Sequence, residues 1–484
     1  MENAIEFFIK NAKENPNKLF VCDSEKEYTY GKALEIVSNI ACFFANKNIE
    51  KQPIMLKAER NCESLLTILG IIYSNNFYVP VNPAFSEEKI ASIIETSKVR
   101  YAVSFLLGGG GANVEFFKYE DICSHKSDNN TLKNLENQFD KENPIYTVYT
   151  SGSTGKPKGV IKTQKNVIAF INNYIETFKF ESGLNIANQA PLFFDASMKD
   201  VFLCIATCST LFFPEKTLFA LPLKLVEFLN THMINYICWV PSALTIIVRL
   251  NTFKYVKPLF LKYVMFVGEV FIPKYLNMWI DALPNITFCN LYGSTEIAGV
   301  CLYKKITEKL PEDKPIPLGK ALTNNTVFLE DGEIVVLSDQ TAIGYINDPE
   351  KNSKVFAVKD GKKYLKTGDF AFENEDGDIV FLSRKDFQIK HMGYRIELQE
   401  IDLSVARLAY VGNCAVLYNQ SADKIVAFVS LSSPLENPAK TIITDLKEML
   451  PAYMVPNKIE VLDELPLNAN GKIDRVKLKE MIGE

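Results

Sequence analysis

IYTVYTSGSTGKPKGV, residues 145–160, breaks a β-branched and aromatic run abruptly into Gly, Ser, Thr and Lys. A strand ending in a phosphate-holding loop has this composition. Thr150, Ser151, Ser153 and Thr154 supply hydroxyls, Gly152, Gly155 and Gly159 let backbone N–H groups approach an anion, and Lys156 and Lys158 supply charge. Gly/Ser/Thr clusters are also found in plain surface loops. Here, however, the lysines lie inside the cluster, a strand pattern precedes it, and a helical pattern (VIAFINNYIETF) follows from about Lys165. The Walker loop does not fit, because the four-residue gap between its glycines is absent and Pro157 occupies the Ser/Thr position. A proline there does not lead into that loop's usual helix.

The 484 residues are too many for one core and suit two or more domains. Hydrophobic residues at 47% and charged residues at 23% fit a soluble globular protein. A net charge of -5 argues against nucleic acid as a partner. No apolar run is long enough to span a membrane, and the amino terminus, MENAIEFFIKNAKENPNK, lacks a signal-peptide core. The ten cysteines are scattered without a CxxC pair, so a reduced, cytoplasmic setting is expected and zinc is not. With His125, His232 and His391 the only histidines, mechanisms built on a histidine base have little to draw on.

Helical and strand patterns alternate from Met1 to about Glu120, as in an α/β layer architecture. GGGGA at 108–112 lacks the third glycine of GxGxxG and reads as a surface loop, and residues 124–143 read as a polar connector. In NQAPLFFDASMKDVF (188–202), Asp195 is costly to bury without a partner. It also suits a helix N-cap. YICWVPSAL (236–244) and YVMFVGEVF (263–271) read as buried strands that each enter a turn. In NLYGSTEIAG (290–299), Tyr292 offers a ring for a base, Asn290 an amide for its edge and Glu296 a carboxylate suited to Mg²⁺. Asp369 follows a Thr-Gly turn in YLKTGDFAF, where an Asx turn is the plainer reading. Lys472 stands in NGKIDR near the carboxy terminus, where it would otherwise be a solvated charge.

TSGSTGKPKG, NLYGSTEIAG and NGKIDR, at these distances, resemble the signatures of the adenylate-forming enzymes: acyl-CoA synthetases, luciferases and adenylation domains of nonribosomal peptide synthetases. The resemblance extends from about residue 1 to 480. It implies an α/β fold with a large multi-subdomain body of α/β layers (1–384) and a small mobile α+β carboxy-terminal domain (385–484) that turns about Asp386. Ser383 replaces a commoner glycine beside that hinge. The resemblance also implies ATP and Mg²⁺ as cofactors. Thr150, Ser151, Gly152, Ser153, Thr154, Gly155 and Lys158 would hold the departing phosphates. Gly268, Glu269 and Val270 would pass under the adenine, with Asn290, Tyr292, Gly293, Ser294 and Thr295 completing that site. Glu296 would hold the metal, Asp369 the ribose hydroxyls, and Arg384 the nucleotide. Lys472, with Glu296 and Thr154, would carry catalysis. Gly393, Tyr394 and Arg395 would face the site in the thiol-transfer half-reaction.

In amino-acid-activating relatives the acid of the FDxS motif, here Asp195, binds the substrate's ammonium group. The implied pocket is Asp195, Ala196, Lys199, Trp239, Met265, Val267, Leu291, Gly299 and Val300, with Lys472 at its mouth. NQAPLFFDAS, FVGEV and DFQIKHMGYRIEL are closest in flavour to D-alanine:D-alanyl carrier protein ligases. Val267 and Lys199 depart from that subgroup's cysteine and methionine. Two readings of Lys199 stay open: a counter-charge for an acidic substrate side chain, or a side chain that pairs with Asp200 or Asp195 or points to solvent and leaves Trp239, Met265 and Leu291 to bind an apolar side chain. The expected activity is therefore adenylation of an amino acid, then transfer to the phosphopantetheine thiol of a carrier protein. The carrier would come in trans or from a longer parent chain. The alternatives are an acyl- or aryl-CoA ligase, a D-alanyl carrier protein ligase, or a non-catalytic scaffold.

Overall fold

Apolar runs of four to six residues build the central strands, whose faces are both covered. Tyr236–Trp239, Tyr263–Val267 and Thr287–Tyr292 lie side by side and parallel, as YICW, YVMFV and TFCNLY predict. They sit in a nine-stranded sheet that continues in parallel through Asn185–Ala187, Thr210–Phe212 and Leu19–Cys22. Its edges are antiparallel, with Leu302–Ile306 and then Lys320–Ala321 at one end and Glu27–Thr29 at the other. The computed structural model describes residues 1–103, 114–150, 158–359, 362–384, 388–466 and 473–483.

A seven-stranded sheet holds the opening stretch. Pro144–Thr150 lies between Phe77–Val81 and Lys158–Thr163, and Gly344–Tyr345 closes the edge. Two helices, Gln164–Phe178 and Asp195–Ala206, pack between the sheets. One apolar cluster runs from Tyr78 and Tyr146 through Phe170 and Phe202 to Met265 and Leu291. Tyr174 and Tyr236 share a buried hydroxyl hydrogen bond of 2.9 Å across that core. Thr163 and Asn166 form a capping box at the start of the first helix, which places its amino end directly after the strand. A third, five-stranded sheet carries Lys362–Glu373, and so Asp369.

By packing, the chain divides into two compact units: residues 1–83, 94–148 and 159–383, and residues 84–93, 149–158 and 384–484. In the second, the strands Val411–Asn419, Lys424–Leu431 and Lys458–Val461 form a sheet with a core of Ile401, Val416, Ala427 and Leu446. A mixed α/β fold with a large body and a small carboxy-terminal domain is as the sequence leads one to expect.

Local readings differ in two places. The polar connector contains a helix, Asn129–Glu136, because Asp128 accepts from the N–H groups of Asn130 and Thr131 and caps it. A strand, Lys158–Thr163, stands between the glycine loop and the helix that follows. Among the described residues, no helix is long and apolar enough to cross a membrane.

Helices Tyr30–Asn46 and Cys62–Tyr73 meet at Gly70, where an added Cβ would stand 2.5 Å from Ile40 Cγ2. Gly70→Ala is expected to destabilise the chain by about 1–3 kcal/mol through overpacking. A denaturation midpoint equal to that of the unsubstituted chain would refute the close contact.

Candidate functional site

Strand parity decides what lines the substrate side of the nine-stranded sheet. Side chains alternate between faces, and in-register neighbours on parallel strands share a face. Cys238 pairs with Met265 and Met265 with Cys289, while Val267 pairs with Leu291. All five belong to the core shared with the helix Asp195–Ala206. Trp239 pairs with Phe266, and both belong to a separate core on the other face. There the Trp239 indole donates to Ala187 O at 2.8 Å. Trp239 is thus not brought to the implied pocket, and Cys238 is. Gly299, with φ +66°, stands where a Cβ would lie 2.2 Å from the Phe170 ring, and Val300 beside it is buried. Ala196 is half-buried in the first turn of the Asp195 helix.

Asp195 does not cap its helix. Phe194 is the N-cap residue, and Asp195 follows as the first helical residue, where the helix dipole favours a negative charge. Its carboxylate Oδ1 accepts a hydrogen bond from the hydroxyl of Tyr146, the second residue of the opening stretch. Lys162, fully buried, brings its Nζ to 3.7 Å from Asp195 Oδ1 and donates to Thr295 O at 2.5 Å. The same ammonium lies 5.8 Å from the centre of the Tyr146 ring. Burial pushes the Asp195 carboxyl up, against the pull of Lys162 and Tyr146. Burial likewise lowers Lys162, while Asp195 and Glu296 oppose it. Glu296 is itself buried, and its Oε1 accepts from the Tyr345 hydroxyl at 2.6 Å. Tyr345 arrives on the edge strand paired with Val160. One buried cation therefore joins the glycine-loop strand, the FDxS helix and the YGSTE turn.

Lys199 has a partner of its own. Buried to 2% exposure, it donates to Ala196 O at 2.7 Å and lies 3.7 Å from Asp200 Oδ1. Burial is the largest influence and works against its charge, but Asp200 and Cys238 together outweigh it and hold the ammonium above the ordinary lysine value. Burial also pushes Asp200 up, to about 6, while Lys199 and a 2.9 Å bond from Asn188 hold it down. Both partners are charged at neutral pH.

The residues of the implied nucleotide site lie on neighbouring strand ends. Asp369 is buried and accepts from the Tyr292 hydroxyl at 2.5 Å. Asn290 donates to Pro317 O at 2.9 Å. Gly268 turns the chain with φ +97°, Glu269 accepts from Ser242 N at 2.9 Å, and Val270 is exposed. Gly293 allows a close approach, since an added Cβ would lie 2.4 Å from Gly299 O. The Ser294 hydroxyl is buried with no hydrogen-bond partner among the described residues. In the second unit, Arg384 and Arg395 both donate to Gln388 Oε1, at 2.8 and 2.9 Å. Thr150 closes its strand and Lys158 opens the next. Residues Ser151, Gly152, Ser153, Thr154 and Gly155, the hinge position Asp386, and Lys472 lie outside the described residues, as does GGGGA. Beside the Lys472 segment, Arg475 donates to Val416 O at 2.7 Å and pairs with Asp402.

The sequence reading passed over four residues: Tyr146, Lys162, Cys238 and Tyr345. The signal for Lys162 was available, since it stands in the apolar run GVIKT directly after the glycine loop.

Two α/β sheets packed on a shared pair of helices give the architecture expected of an adenylate-forming ligase, and comparison with known families shows that class. The family model described as AMP-binding enzyme matches residues 8–346, and that of the AMP-binding enzyme C-terminal domain matches residues 400–472. The chain belongs to the AMP-binding enzyme family. It is 30% identical to the D-alanine–D-alanyl carrier protein ligase of Staphylococcus epidermidis, over 99% of each chain. It is 29% identical to a part of bacitracin synthase 1 of Bacillus licheniformis, covering 99% of this chain and 9% of that protein. The fold matches the Vibrio cholerae adenylation domain AlmE, solved with glycyl-adenosine-5'-phosphate, with TM-score 0.82 and 19% identity over 99% and 97% of the two chains.

The Lys199–Asp200 pair is testable by stability. Lys199→Met strands a buried carboxylate and is expected to cost about 3–5 kcal/mol, with Lys199→Met/Asp200→Asn recovering at least half of it. Additive losses in the double variant, measured by denaturant unfolding, would show that the two do not pair.

Proposed function

We propose that the chain activates an amino acid with an uncharged, apolar side chain as its aminoacyl-adenylate and passes it to the phosphopantetheine thiol of a carrier protein. The observation that carries this reading is the Asp195 carboxylate. It is buried, freed from helix capping, and ends in an oxygen, Oδ2, with no hydrogen bond among the described residues. A carboxylate so placed attracts a cationic group, and a substrate's ammonium supplies one. The apolar preference is supported by Lys199, whose charge is met by Asp200, and by Cys238, Met265, Val267 and Leu291 on one sheet face. The relatives named for carrier protein ligation and peptide synthesis support the carrier as acceptor.

The chemistry joins two anions, a carboxylate and the α-phosphate of ATP, so alignment and charge neutralisation matter more than a base. A substrate carboxylate oxygen attacks the α-phosphorus, and pyrophosphate leaves with the electron pair of the cleaved bond. Glu296, whose second oxygen is set by the Tyr345 bond to the first, has the hard oxygen donors that Mg²⁺ takes. Mg²⁺ bound there would offset phosphate charge. Asp369 would accept the ribose hydroxyls, with Tyr292 beside it and Asn290, Gly293 and Ser294 bordering the base. The glycine loop, Thr150 to Lys158, would hold the departing phosphates, and Lys472 would bridge carboxylate and α-phosphate with a point charge on a long stem. Arg384 would hold the nucleotide, and Asp386 would serve the turn of the small domain between half-reactions.

Amino-acid-dependent pyrophosphate exchange tests this. Exchange with leucine-, valine- or alanine-type substrates of either chirality is expected, and exchange confined to glutamate or aspartate would refute the apolar pocket. Lys472→Ala is expected to lower the adenylation rate by at least about 100-fold, the scale of a lost preorganised electrostatic contact. A full adenylation rate in that variant would remove the role given to Lys472. Asp195→Ala, which removes the carboxylate that would hold the substrate's α-substituent and leaves Lys162 unpaired, is expected to lower kcat/KM for the true substrate by at least about tenfold, and an unchanged value would favour an acyl-CoA ligase.

A further inference from the structure

The amine subsite already contains a cation. Lys162 is fully buried, and its Nζ lies 3.7 Å from Asp195 Oδ1 and donates to Thr295 O at 2.5 Å. Tyr146 donates to that same Oδ1. Among the described residues Oδ2 takes no hydrogen bond, and the Asp195 side chain keeps 11% exposure. A substrate ammonium at Oδ2 must therefore share one carboxylate with a second ammonium a few ångström away. At an effective dielectric of about 20, like charges at about 6 Å oppose each other by on the order of tenfold to a hundredfold in binding. An α-hydroxyl at the same place donates a hydrogen bond to Oδ2 and brings no charge.

We infer that Lys162 is a specificity-determining residue: as the internal counter-ion of Asp195, it relaxes selection for the substrate's α-ammonium, so that α-hydroxy acids are adenylated alongside the matching α-amino acids. This rests on the reading of Asp195 as the carboxylate that faces the substrate's α-substituent. Lys162 reaches that carboxylate from the strand Lys158–Thr163, while its bond to Thr295 O fixes the side chain from a second element. The counter-ion is thus built in, and is held whether or not a substrate arrives.

The experiment is pyrophosphate exchange with matched pairs, leucine against 2-hydroxy-4-methylpentanoate and alanine against lactate, each as both enantiomers. The readout is the ratio of kcat/KM for the amino acid to that for its hydroxy analogue. In the unsubstituted protein the ratio is expected within about tenfold of unity. Lys162→Gln removes the charge but keeps an N–H donor for Thr295 O, and is expected to raise the ratio at least tenfold. Lys162→Arg keeps the charge and is expected to leave it in place. A merely structural role would lower both members of a pair together and leave the ratio unchanged in Lys162→Gln, which would overturn the inference. If Lys162→Gln does not fold, the unsubstituted protein decides alone: rejection of hydroxy acids by more than about a thousandfold overturns it. Activation of hydroxy acids without any amino acid would instead defeat the proposed function and leave the assignment of Lys162 standing.

Discussion

A buried ammonium has few ways to exist in a protein, and the arrangement around Lys162 shows what it demands. Its own strand, the helix that begins at Asp195 and the turn at Thr295 must all converge within one side chain's reach, because an isolated charge in that interior would cost more than the fold can supply. The consequence is a junction between three separate elements, the farthest pair of which, Lys162 and Thr295, is 133 residues apart. Tyr146 and Tyr345 extend it to the carboxylates at either end, Asp195 and Glu296. Under the proposed function these would be the substrate and metal ends of the site, held in relation before any ligand binds, which is the preorganisation that charge-neutralising catalysis relies on.

The second charge pair, Lys199 with Asp200, has a different consequence. Both lie on the helix whose first residue is Asp195, and their mutual neutralisation leaves the facing wall of Cys238, Met265, Val267 and Leu291 without a charge of its own to offer. The two lysines thus divide the electrostatics of the region. One closes on its neighbour within a helix turn, and the other is spent on the Asp195 carboxylate.

Much of this was legible in the chain. The strand before the glycine loop, the helix after it, the strands YICW and YVMFV and the small carboxy-terminal domain all follow from local patterns that tertiary packing did not override. The site was less legible at three points. Trp239 and Cys238 are neighbours, and only strand register tells which of the two faces the helix that carries Asp195. The apolar run GVIKT marks Lys162 for burial, but its partners, Asp195 and Thr295, are set only by the fold. Asp195 suited an N-cap equally well, and the choice rested on which residue, Phe194 or Asp195, took the last extended backbone conformation.

The sequence alone determined the family, because TSGSTGKPKG, NLYGSTEIAG and NGKIDR are local strings whose chemistry reads without a fold. It also determined the α/β class, through hydrophobic runs whose period and length select strand or helix. The tertiary structure decided how charges are distributed. Whether Asp195 stands alone or beside Lys162 depends on the distance between separate strands and helices, and whether Lys199 meets its neighbour Asp200 or an outside acid depends on how a buried helix turn directs the two side chains. Electrostatic energy falls off with those distances and rises with burial, and neither quantity is written in local sequence.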